Sequence, residues 1–92
     1  MIKSFRHKGL GQFFLTGSKK GIQAEHARRL ELQLITLNAA RHAQAMNIPG
    51  WNLHPLHKEL AGHWAVRVSG NWRLTFTFEE ENAVLVDYQD YH

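Results

Sequence analysis

The sequence contains no cysteine and no long apolar run. Without cysteine the chain can form no disulfide, no thiolate nucleophile and no cysteine-based zinc site, which fits a reducing compartment. Residues 1–6 carry no apolar stretch long enough for a signal peptide or a membrane span. Internal repeats, low-complexity tracts and interdomain linkers are also missing. For a chain of 92 residues we therefore expect a single soluble, cytoplasmic domain over residues 1–92, built on one core.

Basic residues are concentrated at the start of the chain. Residues 1–30 carry seven Lys or Arg against one Glu, whereas residues 59–92 carry two Arg against six acidic side chains. A basic region attracts polyanions such as RNA, although a merely solvated surface has the same composition. The seven basic residues are Lys3, Arg6, Lys8, Lys19, Lys20, Arg28 and Arg29.

Two helices are predicted in the N-terminal half, after a short first strand over residues 2–5. Apolar residues at helical spacing indicate a first helix over residues 7–16, and a Gly- and Ser-rich loop follows over 17–21. A longer helix is predicted over 24–43, with apolar stripes on two nearly opposite sides. One stripe should face a sheet, and the other should be covered by the first helix or by a partner protein. The stripes are Ala27, Leu30, Leu34 and Leu37, and Leu32, Ile35, Ala39 and Ala43.

The C-terminal half is predicted to form a β-meander. After the breaks at Pro49 and Gly50, apolar and polar residues alternate over 64–68, 72–78 and 84–88, with turns between these segments. The alternation predicts a sheet with one apolar and one polar face, and it places Arg67 and Arg73 together on the polar face. The predicted fold class is therefore α+β in the order β-α-α-β-β-β, an antiparallel sheet with two helices packed on one face.

Seven histidines are many for so short a chain, and His54, His57 and His92 stand in suggestive places. Histidine takes up and releases protons near neutral pH. Cleaving RNA without a metal needs a base for the 2′-hydroxyl, an acid for the leaving 5′-oxygen and a cation for the charge on the phosphate. A chemically sufficient set is His54, His92, Arg73 and Asp90, with Tyr91 able to stack on a base or donate a proton.

The same residues also have structural interpretations. A histidine at a strand start is usually a surface residue, Arg73 could be a solvated charge, and Tyr91 and His92 could form a frayed tail. His54 and His57 could also bind a metal with His63 and Asp90, but their spacing matches no standard zinc pattern. Spacing alone leaves the function open.

Five short motifs, in order and at family-like spacing, give the chain a resemblance to HigB-type toxins. These toxins are the "host inhibition of growth" or plasmid-maintenance killer family within the RelE/ParE superfamily, and the resemblance spans essentially the whole chain. The motifs are Met1-Ile2-Lys3-Ser4-Phe5 with His7-Lys8-Gly9-Leu10, Leu53-His54-Pro55-Leu56, Gly62-His63-Trp64, Asn71-Trp72-Arg73-Leu74-Thr75-Phe76, and Asp90-Tyr91-His92.

The resemblance implies a microbial-ribonuclease-like fold that binds in the decoding site of the small (30S) ribosomal subunit and cleaves the mRNA codon there. It also implies an antitoxin of helix-turn-helix type that neutralises the toxin, represses their shared operon and provides the contact with operator DNA. We expect no cofactor, no metal and no membrane partner. Matched position by position, the family's catalytic residues fall on His54, Asp90, Tyr91 and His92, with Arg73 as the phosphate-stabilising arginine.

The sequence by itself does not assign acid and base between His54 and His92, and we take one division as the hypothesis to test. The carboxylate of Asp90 and the α-carboxylate favour a protonated His92, which suits it as the general acid and leaves the base role to His54.

Many relatives place a basic residue and a glycine directly after His-Pro-Leu, where this chain has His57 and Lys58. Either His57 replaces an RNA-contacting lysine, which would make the contact pH-sensitive, or Lys58 makes that contact. We expect RNA or ribosome contacts from the seven basic residues and from His57, Lys58 and Arg67.

Two other functions stay open at this point. A gyrase poison of ParE type uses the same superfamily fold, but it has no need of paired acid–base groups. A non-enzymatic subunit that only completes a repressor complex would keep the apolar helix stripes and tolerate the loss of every catalytic candidate.

Overall fold

The computed structural model of the protein describes residues 1–91, which form two α-helices and a four-stranded antiparallel sheet. His92 lies outside the described residues. The helices are α1 (Lys8–Thr16) and α2 (Ala27–Ala39), and the strands are β1 (His54–Pro55), β2 (Trp64–Ser69), β3 (Trp72–Glu79) and β4 (Asn82–Asp90). Short 3₁₀ turns cover Ala24–His26, Ala43–Met46 and Lys58–Leu60. No helix within residues 1–91 is long and apolar enough to cross a membrane.

Both ends of α1 are capped by local chemistry, and the predicted first helix is confirmed. The Nδ1 atom of His7 accepts a hydrogen bond from the Leu10 amide at 2.9 Å, which satisfies one of the free N–H groups of the first turn. At the other end Gly17 adopts a left-handed conformation with φ of 79°, and its amide donates to the carbonyl of Phe13.

The second helix is shorter than predicted. The α-helical part ends at Ala39, because Ala40 takes an extended backbone conformation, and the flanking segments are 3₁₀ turns. Asn38 stands just before this end; it has a low helix propensity, and its Oδ1 accepts a hydrogen bond from the Ile2 amide. The stripe from Ala27 to Leu37 is buried as predicted. Of the other stripe, Leu32, Ile35 and Ala39 are exposed, with Leu32 at 55% and Ile35 at 57%. Ala43 lies beyond the helix and is buried in the core, so the prediction is wrong for this residue.

The predicted meander is confirmed, and the sheet order follows the chain from β1 to β4. The predicted first strand is wrong as a continuous strand, because residues 2–5 pair with β4 as two isolated parallel bridges, Ile2 to Ala83 and Phe5 to Val86. Between these bridges β4 is irregular, so a continuous ladder cannot form there.

The irregularity is a bulge at Leu85. Thr77 pairs with Val84 but Thr75 pairs with Asp87, so two residues of β4 lie opposite one residue of β3. Leu85 has φ of 56°, the left-handed region that a leucine rarely adopts. Its amide donates to Ser4 Oγ at 2.8 Å, so the N-terminal segment satisfies the amide that the bulge removes from the ladder.

The bulge also changes which residues of β4 face the helices. Val86 and Tyr88 belong to the main core, whereas Val84 is buried but lies outside that core cluster, on the side of Thr77. The predicted alternation through 84, 86 and 88 is therefore wrong at Val84. The core itself joins both helices to one face of the sheet, as predicted, through Leu10 and Phe13 of α1, Leu30, Leu34 and Leu37 of α2, and Val66, Leu74, Phe76 and Val86 of the strands.

Candidate active site

The sheet face turned away from the helices carries two rows of side chains that cross the strands. Side chains on one face recur at every second residue, and the strand register aligns them from β1 to β4. One row is His54, Ala65, Thr75 and Asp87, and the neighbouring row is Arg67, Arg73 and Gln89. We refer to this surface as the polar face. It brings His54 and Arg73 to one side of the sheet from two strands that are far apart in the sequence.

The imidazole of His54 is oriented by a backbone carbonyl two residues earlier in the chain. Its Nδ1 lies 2.8 Å from the carbonyl oxygen of Asn52, which adopts a left-handed conformation with φ of 52°. A carbonyl oxygen only accepts, so Nδ1 must carry the hydrogen and donate it. In the neutral ring Nε2 is then unprotonated. This arrangement suits His54 to take a proton through Nε2.

Two arginines face each other across neighbouring strands. Arg67 of β2 pairs with Arg73 of β3, so both side chains leave the same face, as predicted. Like charges directly opposite each other destabilise a sheet, and their Cβ atoms are only about 5 Å apart. Such a pair is favourable where a polyanion binds, because a phosphate can interact with both guanidinium groups.

The guanidinium of Arg73 is oriented from two directions. Its Nε and Nη2 atoms donate to Gln89 Oε1 at 3.4 Å and 3.2 Å, and its Cζ lies 4.0 Å from the centre of the Tyr91 ring. Gln89 is held in turn, because its Nε2 donates to Asp87 Oδ2 at 2.8 Å. The tail that carries Tyr91 is fixed by a bond from the Tyr91 amide to the carbonyl of Asn71.

Asp90 lies on the other side of the sheet from Arg73. It pairs with Trp72, and the alternation along β4 places its side chain on the same side as that of Tyr88. Burial raises the pKa of the Tyr88 hydroxyl, and the nearby charges of Glu25 and Asp90 raise it further, while a hydrogen bond from the Gln23 amide opposes the rise. Of the predicted catalytic set, the structure places Arg73 in contact with Tyr91 and His54 on the same face two strands away, while Asp90 lies at the edge of the opposite face.

A buried aromatic group under the tail was not anticipated. His26 is 6% exposed, and its Nδ1 lies 2.6 Å from the Tyr88 hydroxyl. The Tyr88 ring stacks on Trp72 with 4.4 Å between centroids, and His7 and His26 contact the ring edge-on. Aromatic packing of this kind stabilises the end of β4, which Tyr91 follows.

The predicted RNA-contacting residues differ in what they do in the fold. Arg29 is half-buried and donates to the carbonyls of Gly50 and Arg67, so it clamps α2 to the loop before β1 and to β2. Gln33 of α2 donates to the same Arg67 carbonyl. His57 and Lys58 are exposed at the 3₁₀ turn before β2. Of the seven basic residues in the first 30 positions, the six besides Arg29 are also exposed: Lys3, Arg6, Lys8, Lys19, Lys20 and Arg28.

The metal set considered for His54, His57, His63 and Asp90 does not come together. His54 lies on β1 and Asp90 at the end of β4, at opposite edges of the sheet. Among residues 1–91, no three His, Asp or Glu side chains converge closely enough to share an ion.

Asp87, Gln89 and Asn52 were missed in the sequence. If β4 had no bulge at Leu85, the register set by the turn between β3 and β4 would pair Tyr88 with Arg73. The side chain of Gln89 would then point towards the core. The signal that marks such a bulge is usually a Gly or Asn at the left-handed position, and here that position holds a leucine.

Comparisons with known proteins agree with this architecture. The family model described as the RelE-like toxin of the type II toxin–antitoxin system HigB matches residues 3–92. The curated protein "Endoribonuclease HigB" of Proteus vulgaris is 38% identical over 92 residues, with 100% of both chains covered. Among solved structures, a point mutant of YafQ from E. coli has a TM-score of 0.59 and 13% identity, with 98% of this chain and 93% of that chain covered. YafQ from E. coli strain BL21(DE3) has a TM-score of 0.55, 15% identity and the same 98% and 93% coverage. These two likenesses concern the fold.

The bond between His54 and Asn52 predicts the tautomer of the His54 ring. In the neutral form we expect the hydrogen on Nδ1 and none on Nε2, which long-range ¹H–¹⁵N spectra of the imidazole distinguish directly. The exposed ring of His42 serves as the internal reference. If the neutral His54 ring carries its hydrogen on Nε2, the Asn52 carbonyl does not orient it.

Proposed function

Because the chain belongs to the HigB family of RelE-like type II toxins, we propose that it is a ribosome-dependent endoribonuclease that cleaves translated mRNA without a metal. Two observations support this activity for the chain: a relative 38% identical over its full length bears the name endoribonuclease, and the polar face carries a histidine suited as the base and two arginines suited to a phosphate. The observation that carries the proposal is the polar face, where an oriented histidine and two facing arginines share one surface.

The proposed reaction is an internal attack within the RNA. Nε2 of His54 takes the proton of the 2′-hydroxyl, and the 2′-oxygen attacks the adjacent phosphorus. Arg73, assisted by Arg67, stabilises the negative charge that gathers on the phosphate oxygens. His92 donates a proton to the 5′-oxygen as its bond to phosphorus breaks, which leaves a 2′,3′-cyclic phosphate and a free 5′-hydroxyl. Tyr91 stacks on a base beside the cut, and Asp90 holds the tail from which His92 acts.

The remaining partners follow from the family. A type II toxin has an antitoxin, and we propose one of helix-turn-helix type that binds operator DNA with the toxin as corepressor. The uncovered stripe of Leu32 and Ile35 offers such a protein an apolar surface on α2. The proposed site of action is the decoding centre of the 30S ribosomal subunit, which a toxin made of a single domain would enter. Action on the ribosome implies that the toxin is cytoplasmic.

The use of the 2′-hydroxyl predicts both a product and an inert substrate. Ribosome-bound message should be cut by purified protein in the presence of EDTA at limiting free magnesium, and the 5′ fragment should end in a 2′,3′-cyclic or 3′-phosphate. A message with one 2′-deoxy sugar at the cut site should stay intact, because the nucleophile is gone. A message with the deoxy sugar one codon away is the control. Equal cleavage of both messages would exclude the mechanism.

The acid and base roles predict different responses to a better leaving group. A 5′-thiolate leaves without protonation, so a message with a 5′-phosphorothiolate linkage at the cut site should restore His92→Ala by at least about tenfold relative to the normal linkage. It should leave His54→Ala as slow as before. Equal restoration of both variants would overturn the division of roles, and full activity of His92→Ala on normal RNA would remove His92 from the reaction.

The exposed basic residues predict a salt-dependent docking step. Each phosphate contact contributes about 0.7–0.9 to the slope of log affinity against log salt. Lys19→Gln combined with Lys20→Gln should flatten that slope for ribosome binding by about 1.5 and leave the cleavage rate of bound complexes unchanged. Arg41→Gln, an exposed charge outside the predicted group, is the control and should leave the slope unchanged. If the double variant has the same slope as the unchanged protein, Lys19 and Lys20 contact no phosphate and are solvated surface charges.

A further inference from the structure

We propose that Gln89 is a positioning residue for Arg73, and that Asp87 acts through Gln89 to set the direction in which the guanidinium points. The inference rests on the proposed role of Arg73 in RNA cleavage and extends it to two residues that have no assigned function. Gln89 lies directly opposite Arg73 in the register of β3 and β4, so the contact is a fixed cross-strand neighbour relation.

The orientation of the Gln89 amide follows from its second partner. An amide has one accepting oxygen and one donating nitrogen, and the two ends are distinguished by what they contact. The ionised carboxylate of Asp87 only accepts, so the donating Nε2 must face Asp87 and the accepting Oε1 must face Arg73. Asp87 is anchored as well, because its Oδ1 accepts the Tyr88 amide at 2.9 Å. The chain from the β4 backbone to the guanidinium therefore has one consistent direction.

The contact selects one edge of the guanidinium and leaves another for the phosphate. Nε and Nη2 form the side edge, and both donate to Gln89 Oε1. The end edge, formed by Nη1 and the second hydrogen of Nη2, has the parallel donors that match two phosphate oxygens. The Tyr91 ring, 4.0 Å from Cζ, limits movement perpendicular to this plane.

A neutral partner at position 89 has a specific consequence for catalysis. A carboxylate on the side edge would orient Arg73 equally well but would offset its positive charge, which is the property that stabilises the phosphate in the transition state. Gln89 orients the cation and leaves its charge intact. The negative charge of Asp87 stays one side chain farther away, where it acts on the Gln89 amide.

The test compares substitutions that remove the contact in different ways. Gln89→Met keeps the length and removes the amide, while Gln89→Asn keeps the amide and shortens it by one methylene. Both should lower the single-turnover cleavage rate on saturating ribosome-bound message by about tenfold, equivalent to roughly 1.4 kcal/mol. The concentration for half-saturation should change less than twofold. Gln44→Met, the same substitution at an exposed residue outside the polar face, should match the unchanged protein.

Double variants separate positioning from a direct or a structural role. Arg73→Ala should lower the rate by about 100-fold, and adding Gln89→Met to it should have no further effect. Adding Asp87→Asn to Gln89→Met should likewise change nothing, because Asp87 acts through the Gln89 amide. Additive losses in either pair would overturn the proposal. A variant whose circular dichroism or Tm departs from that of the unchanged protein is replaced by the other substitution at position 89.

The Nε–H resonance of Arg73 gives a readout independent of cleavage. In the unchanged protein we expect a dispersed, slowly exchanging signal, and in Gln89→Met an averaged one at the position of a solvated arginine. An unaffected signal would overturn the positioning role. If Arg73→Ala cleaves at the full rate, the proposed function of Arg73 fails even when this signal changes. If Arg73→Ala is slow while Gln89→Met is fast, the positioning role alone fails.

Discussion

The extra residue in β4 determines which side chains meet on the polar face. Because a strand turns alternate side chains to opposite faces, one inserted residue at Leu85 exchanges the two faces for everything that follows. Gln89 and Tyr91 thereby reach Arg73, and Tyr88 enters the core. A leucine in a left-handed conformation is unfavourable by about 1–2 kcal/mol. The strain is accepted where surrounding contacts determine the backbone, and here the bond from Leu85 to Ser4 Oγ contributes to that.

The polar face is built for charge at some expense of stability. A sheet optimised for stability alone would not place Arg67 opposite Arg73, since neighbouring like charges repel. The structure offsets this by fixing the backbone beneath the pair: Arg29 and Gln33 of α2 both donate to the Arg67 carbonyl. Rigid support of this kind keeps the backbone beneath the two cations in place, and such preorganisation is what the role proposed for Arg67 and Arg73 requires.

Patterns with a clear period were readable from the sequence, and contacts set by irregular backbone were not. The helix from residue 7 to 16 and the meander followed from periods of 3.6 and 2, and the shared face of Arg67 and Arg73 followed from alternation. The resemblance supplied His54, and the structure added the Asn52 carbonyl that orients it, which depends on one left-handed residue. The contact of Gln89 with Arg73 could not be predicted, because the bulge that pairs them has a leucine, not a glycine, at its left-handed position. His26 was passed over because burial against Tyr88 cannot be inferred from its position in a helix start.

The bridges between residues 2–5 and β4 join segments separated by about the whole length of the chain. Contacts of such high sequence separation form late in folding, since the loop that they close is long. The bulge at Leu85 is therefore held by Ser4 only after this long loop has closed. Because Gln89 and Tyr91 follow the bulge, their alignment with Arg73 is among the last features of the sheet to form.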